Sequence, residues 1–140
     1  MAAAQEPRPL RVMVYSDDRS VRRAVVTALG TRPALDLPEL ELIEVATGPV
    51  VLRTADKGGL DLMILDGEAV PQGGLGLTRQ LKDEIYRCPP ILVLTGRPQD
   101  AWLATWSRAD AVVGHPIDPG QLAEAVATLL RRRLPTARTA

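Results

Sequence analysis

The sequence predicts an α/β fold: a doubly wound, five-stranded parallel sheet flanked by five helices. Three observations predict it. Short apolar runs alternate with segments whose apolar residues recur at helical spacing, the pattern of βα units rather than of a bundle or a sandwich. The 140 residues, 46% of them hydrophobic, supply one core and leave little for a second. Polar residues follow the apolar runs at Ser16-Asp17-Asp18, Asp66, Thr95-Gly96 and His115-Pro116, where the strands of such a sheet converge on one crevice.

The elements follow in order. Leu10–Tyr15 is Val-rich and apolar save for Arg11, as a strand buried on both faces requires. Asp17 or Asp18 then caps a helix that presents Val21, Val25, Ala28 and Leu29 on one side, and Gly30 ends it. Residues 31–40 carry Pro33 and Pro38 and read as a loop, and 42–46 is the second strand. Pro49 suits the first turn of a second helix that Gly58-Gly59 terminates. The third strand, 60–65, stops at Asp66, and 67–74 holds too many chain breakers to be regular. Leu77, Leu81 and Ile85 mark a third helix over 75–86, after which Pro89-Pro90 introduces the fourth strand, Ile91–Thr95. A fourth helix over 99–107, a fifth strand over 111–113 and a last helix from Pro119 complete the alternation. Asp118 and Gln121 have capping-box spacing, and the last helix turns Leu122, Val126 and Leu129 or Leu130 inward. Residues 1–9 and 135–140 read as flexible ends around one domain, 10–134.

Composition excludes several classes of function. Seventeen Lys plus Arg balance seventeen Asp plus Glu, which leaves no bulk electrostatic reason to bind nucleic acid or an acidic membrane. Arg131-Arg132-Arg133 ends a helix, where cations complement the dipole. Cys88 is alone, so no intramolecular disulfide forms, and it reads as an inert thiol in a reducing cytoplasm. A single His beside that single Cys gives no structural zinc set. No apolar run is long enough for a membrane span, and the first ten residues lack the apolar centre of a signal peptide.

The strand ends carry the chemistry. Asp17, Asp18 and Asp66 arrive from two separate strands, and like charges in one crevice cost free energy unless a cation sits among them. A hard, all-oxygen donor set suits Mg²⁺. Asp17 and Asp18 are the candidate ligands, and Asp66 is both ligand and nucleophile towards phosphorus. Thr95 offers a hydroxyl to a phosphoryl oxygen.

Four stretches then resemble one family. Arg11-Val-Met-Val-Tyr-Ser-Asp-Asp18 resembles the first strand and acidic pair of response-regulator receiver domains. Asp61-Leu-Met-Ile-Leu-Asp66 is similar to their strand ending in the phosphoacceptor aspartate, and Ile91-Leu-Val-Leu-Thr-Gly96 to the strand ending in their switch threonine. Arg108-Ala-Asp-Ala-Val-Val-Gly-His-Pro-Ile-Asp118 resembles their fifth strand and the turn after it. The resemblance implies sheet order 2-1-3-4-5, Mg²⁺ on Asp17, Asp18 and Asp66, and phosphoryl transfer to Asp66 from a histidine kinase or small phosphodonor. It further implies a switch at Thr95, no enzyme activity beyond self-phosphorylation and autodephosphorylation, and a docking or homodimer face built from the fourth helix, fifth strand and fifth helix. The chain departs from the family at several points. His115 stands at the place of a lysine, Val112 at that of an aromatic, and Val70-Pro71 and Gly73-Gly74 replace a proline and an Asp-Gly pair. Imidazole is shorter than a lysine side chain and its charge follows pH. Glu68 adds negative charge near the crevice, as a water-mediated metal ligand or as a repellent of phosphate.

Two readings follow from different classes. One is a stand-alone receiver that signals through an unlinked effector. The other is a pseudo-receiver, an interaction module that works without phosphorylation. A third, a Mg²⁺-dependent phosphatase, rests on the echo of a D-x-D-x-[TV] motif in Ile64-Leu-Asp-Gly-Glu-Ala-Val70. The upstream acidic pair and the short chain speak against it, and the missing phosphate loop speaks against a flavodoxin-type cofactor site. Trp102 and Trp106 are four apart on one helical face, Trp102 expected to cover the sheet and Trp106 to face solvent as a partner anchor.

Overall fold

Strand and helix alternate from Leu10 to Arg133. In the computed structural model, which describes residues 8–96 and 101–134, the order is β1 (Leu10–Tyr15), α1 (Arg19–Leu29), β2 (Leu40–Val45), α2 (Gly48–Asp56), β3 (Leu62–Asp66), α3 (Gly74–Glu84), β4 (Ile91–Thr95), α4 (Ala101–Ser107), β5 (Ala111–Gly114) and α5 (Pro119–Arg133). The strands are all parallel and lie in the order β2-β1-β3-β4-β5.

Side chains alternate across each strand, so the sheet sorts its apolar residues into two cores. On one face Val12, Val14, Ile64, Leu92, Leu94 and Val113 pack against Val25 and Leu29 of α1 and Leu122, Val126, Leu129 and Leu130 of α5. On the other, Met13, Tyr15, Met63, Leu65 and Val93 pack against Val51 and Ala55 of α2 and Leu77 and Leu81 of α3. Burying both faces of β1, β3 and β4 contributes about 1.5–3 kcal/mol per large aliphatic side chain. These central strands are therefore the rigid platform of the molecule. Asp18 caps α1 and Asp118 caps α5, each accepting a backbone N–H of the first turn. Two of the three arginines at the end of α5 are engaged in different places: Arg131 makes a two-pronged bond to Asp36, while Arg133 reaches the Leu60 carbonyl and approaches Asp61.

Several boundaries differ from the sequence expectation for local reasons. β2 starts at Leu40 rather than 42 because β1 pairs along its whole length, from Leu10 opposite Leu40 to Tyr15 opposite Val45. β3 starts at Leu62, since Asp61 is turned to Arg8, and it includes Asp66, which pairs with Leu94. α3 ends at Glu84 because Ile85 is extended and packs its side chain into the core. Residues 99 and 100, expected to begin the fourth helix, lie outside the described residues, as do 1–7 and 135–140 of the expected flexible ends. The expectation that Trp102 covers the sheet is overturned, for its side chain is 66% exposed. Trp102 shares an outward face with Trp106, while Ser107, one position further round, is buried.

Candidate functional site

Strand register assembles the site. Tyr15 pairs with Leu65, so Ser16 lies beside Asp66. Asp66 pairs with Leu94, which sets Gly67 beside Thr95, and Thr95 pairs with Gly114, which sets Gly96 beside His115. Backbone bonds past the strand ends extend this order: Gly67 N–H donates to the Leu94 carbonyl at 2.7 Å and His115 N–H to the Thr95 carbonyl at 2.8 Å. α3 closes in from one side. A Cβ on Gly74 would lie 2.8 Å from the backbone of Leu65 and Asp66, so only glycine lets the helix start this close to the end of β3. The peptide bonds before Pro71 and Pro116 are cis.

The result is a cleft of about 310 Å³ lined by Asp17, Asp18, Val21, Asp66, Glu68, Gly96 and His115. Asp66 is buried at its base. Its Oδ2 accepts the Ser16 hydroxyl at 2.8 Å, and its Oδ1 accepts the Glu68 N–H at 2.9 Å and lies 3.1 Å from His115 Nε2. Against an ionised carboxylate, that nitrogen is the donor. Ser16 Oγ in turn accepts the Asp18 N–H at 3.0 Å. Asp17 Oδ1 accepts the Val70 N–H at 3.1 Å, and Glu68 Oε2 accepts the Gly96 N–H at 3.2 Å. Tyr15 donates its hydroxyl to the Gln72 carbonyl at 2.6 Å, tying the loop after Asp66 to β1. Burial, and after it the charges of Asp17 and Asp66, push the Tyr15 phenol up. The Ser20 hydroxyl and amide hold the exposed Asp18 carboxyl below its ordinary value.

The expected residues are brought together unequally. Asp17, Asp18, Asp66 and His115 share the cleft. Thr95 is buried at the end of β4, and its neighbour Gly96 lines the cleft instead. Val112 lies on β5, 42% exposed. As a donor set, three carboxylates around one cleft fit a hard divalent cation. In this conformation, however, Asp17 and Asp18 each hold a backbone amide, and among the described residues no three His, Cys, Asp or Glu side chains converge on one point. Two functional contacts escaped the sequence reading. Ser16 was placed at the crevice without a role, and only the β1–β3 register reveals it as a partner of Asp66. The Glu68–Gly96 bond likewise depends on two loops meeting.

Comparison with known proteins agrees with this arrangement. No protein-family model matches the chain. Three receiver folds superpose on it: a signal receiver domain of an HD domain-containing protein from Pseudomonas fluorescens (TM-score 0.76, 18% identity, 95% of each chain), a chemotaxis response regulator of Vibrio cholerae (0.72, 22%, 88% of this chain and 100% of that one) and a Francisella response regulator receiver domain (0.76, 16%, 89% and 99%). At such identities the likeness is one of fold. Sequence goes further, for response regulatory proteins from two strains of Mycobacterium tuberculosis are each 61% identical over 122 residues, covering 87% of this chain and 92% of theirs. With that identity, the receiver topology and an acidic cleft at the strand ends, the chain belongs to the response-regulator family and folds as its receiver domain.

Proposed function

We propose that this receiver takes a phosphoryl group on Asp66 and signals through a separate protein. One observation carries the reading: a buried carboxylate ends the central strand at the base of an acidic cleft, with His115 Nε2 at 3.1 Å and the Glu68 amide at 2.9 Å. In the reaction an Asp66 oxygen attacks phosphorus, the bond from phosphorus to the phosphodonor breaks, and the donor leaves with the electron pair and takes up a proton. The two N–H groups are placed to stabilise charge on the transferred group, while Ser16 holds the other Asp66 oxygen in place. Asp17, Asp18 and Asp66 are the residues to hold Mg²⁺, which when bound neutralises charge on the phosphoryl oxygens. Thr95 adjoins this cluster as the proposed sensor.

On the far side of β4, Trp102, Trp106 and Val112 are exposed at 66%, 47% and 42%. Arg79 lies over the Trp106 ring, 5.0 Å from its centre, and donates to its carbonyl, which fixes the indole on the surface. We assign partner or homodimer docking to this face. Val112 also favours a second reading, docking without phosphorylation, because a methyl-bearing side chain at the surface has no ring to swing inward.

The test follows intact mass in Mg²⁺ and acetyl phosphate. A single phosphoryl adduct is expected on the wild type and none on Asp66→Asn. A wild type that stays unmodified while binding Mg²⁺ refutes phosphotransfer and leaves the second reading.

A further inference from the structure

Glu68 does more than add charge. Its backbone N–H donates to Asp66 Oδ1, and its side chain folds over to accept the Gly96 N–H at 3.2 Å. Gly96 is the first residue past β4, beside His115, and both Glu68 and Gly96 line the Asp66 cleft. The fit between them is close. A Cβ on Gly96 would lie 2.7 Å from Glu68 Cδ and 3.0 Å from Cγ and Oε1, so the glutamate side chain fills the space that any larger residue at 96 would need.

We propose that Glu68 is an internal gate, a carboxylate that occupies the Gly96 amide and must be displaced before a phosphoryl group settles on Asp66. The proposal rests on the reading of Asp66 as phosphoacceptor. A carboxylate and a phosphoryl oxygen want the same kind of donor, and one amide hydrogen serves one of them well. While Glu68 holds Gly96, an incoming anion meets an occupied donor and a like charge. The contact is long and exposed, so it slows entry rather than barring it. Relief of one such hydrogen bond corresponds to roughly a five- to tenfold gain in rate.

Two variants open the gate in different ways. Glu68→Ala removes the carboxylate, and Glu68 is exposed, so the core is untouched. Gly96→Ala keeps the charge but places a Cβ against a flexible side chain that gives way. Adduct formation from acetyl phosphate in saturating Mg²⁺ is timed by intact mass for both, beside wild type and Asp66→Asn. The Gly96 amide resonance of wild type and Glu68→Ala is recorded without phosphodonor. We expect both variants to react roughly five to ten times faster than wild type. The Gly96 amide should shift upfield and exchange faster once Glu68 is truncated. A wild type that reacts, with neither variant faster, overturns the gate and leaves the Asp66 reading intact. Acceleration in Glu68→Ala alone reduces Glu68 to a diffuse repulsive charge and also overturns it, as does an unmoved Gly96 resonance. If no variant reacts, the phosphoacceptor reading fails and the gate fails with it.

Discussion

Ser16→Ala tests whether the strand register has been read correctly, because it removes one hydroxyl and leaves every backbone atom in place. Ser16 is fully buried, donates to Asp66 Oδ2 at 2.8 Å and accepts from the Asp18 amide at 3.0 Å. A hydrogen bond to a charged group contributes about 1.5–3 kcal/mol, and the orphaned amide adds a smaller cost that partly overlaps it. The expected loss is therefore about 2–3 kcal/mol. For a domain of this size that corresponds to a melting temperature lower by roughly 6–12 °C. Urea unfolding should show a lower midpoint at unchanged m-value, since the same surface is exposed in both proteins. The informative comparison is with Asp66→Asn. A hydroxyl bonded to a neutral amide oxygen is roughly half as strong as one bonded to a carboxylate. Ser16→Ala should then cost about 1 kcal/mol less when Asp66→Asn is already present, a coupling that a double-mutant cycle resolves. Equal costs in the two backgrounds would refute the reasoning, because Ser16 would then be acting on something other than the Asp66 charge.

Two further substitutions probe what holds the site up. Gly74→Ala should cost about 1–3 kcal/mol, since its Cβ meets backbone atoms at 2.8 Å and α3 must back away from β3. Gly76→Ala in the same helix meets nothing within 4 Å and should stabilise by about 0.5 kcal/mol; chemical denaturation of the pair should show opposite signs. Burial pushes the Asp61 carboxyl up, but two bonds from Arg8, the Arg11 amide and the nearby Arg133 outweigh it and leave the group below its ordinary value. A depressed carboxyl stabilises above its unfolded value of about 3.9 and loses that contribution as pH falls through the folded value. Arg8→Ala removes the strongest of these and leaves the Arg11 amide and Arg133 against burial, so the carboxyl is depressed less; its acid unfolding should begin at higher pH than in wild type, and parallel melting curves from about pH 6 to 3 would contradict this.

Much of the fold was legible because its signals are local. Apolar runs gave β1 and β4 to the residue, and helical spacing gave the inward faces of α1, α3 and α5. Clustering of Asp17, Asp18 and Asp66 followed from a topological rule that needs only strand order. What stayed hidden depends on pairing across distance. The start of β2 at Leu40 is decided by the length of β1, and the role of Ser16 by a partner fifty residues away. Trp102 was misplaced for a different reason. Spacing of four puts two tryptophans on one face but does not say which way that face turns, and in α4 both are exposed while Ser107 is buried.

The cleft balances its charge in an unusual way. Asp17, Asp18, Asp66 and Glu68 bring four carboxylates to one small volume, and among the described residues that line it only His115 is able to turn positive. Each of the four accepts a main-chain N–H: Val70 for Asp17, Ser20 for Asp18, Glu68 for Asp66 and Gly96 for Glu68. Fixed backbone dipoles thus do part of what a cation would do, beside the Arg22 guanidinium, which donates to the Ser16 carbonyl at 2.7 Å and helps hold the Asp18 carboxyl down. A cation gathering Asp17 and Asp18 about Asp66 has to compete with these amides, each bond to a charged acceptor contributing about 1.5–3 kcal/mol where buried and less where exposed. The bonds to Asp17, Asp18 and Glu68 are exposed and are expected to yield first, whereas the Ser16 bond to Asp66 is buried. The expected order of opening is therefore from the rim inward, with Ser16 still holding Asp66, which would aim the nucleophile before its ligands arrive.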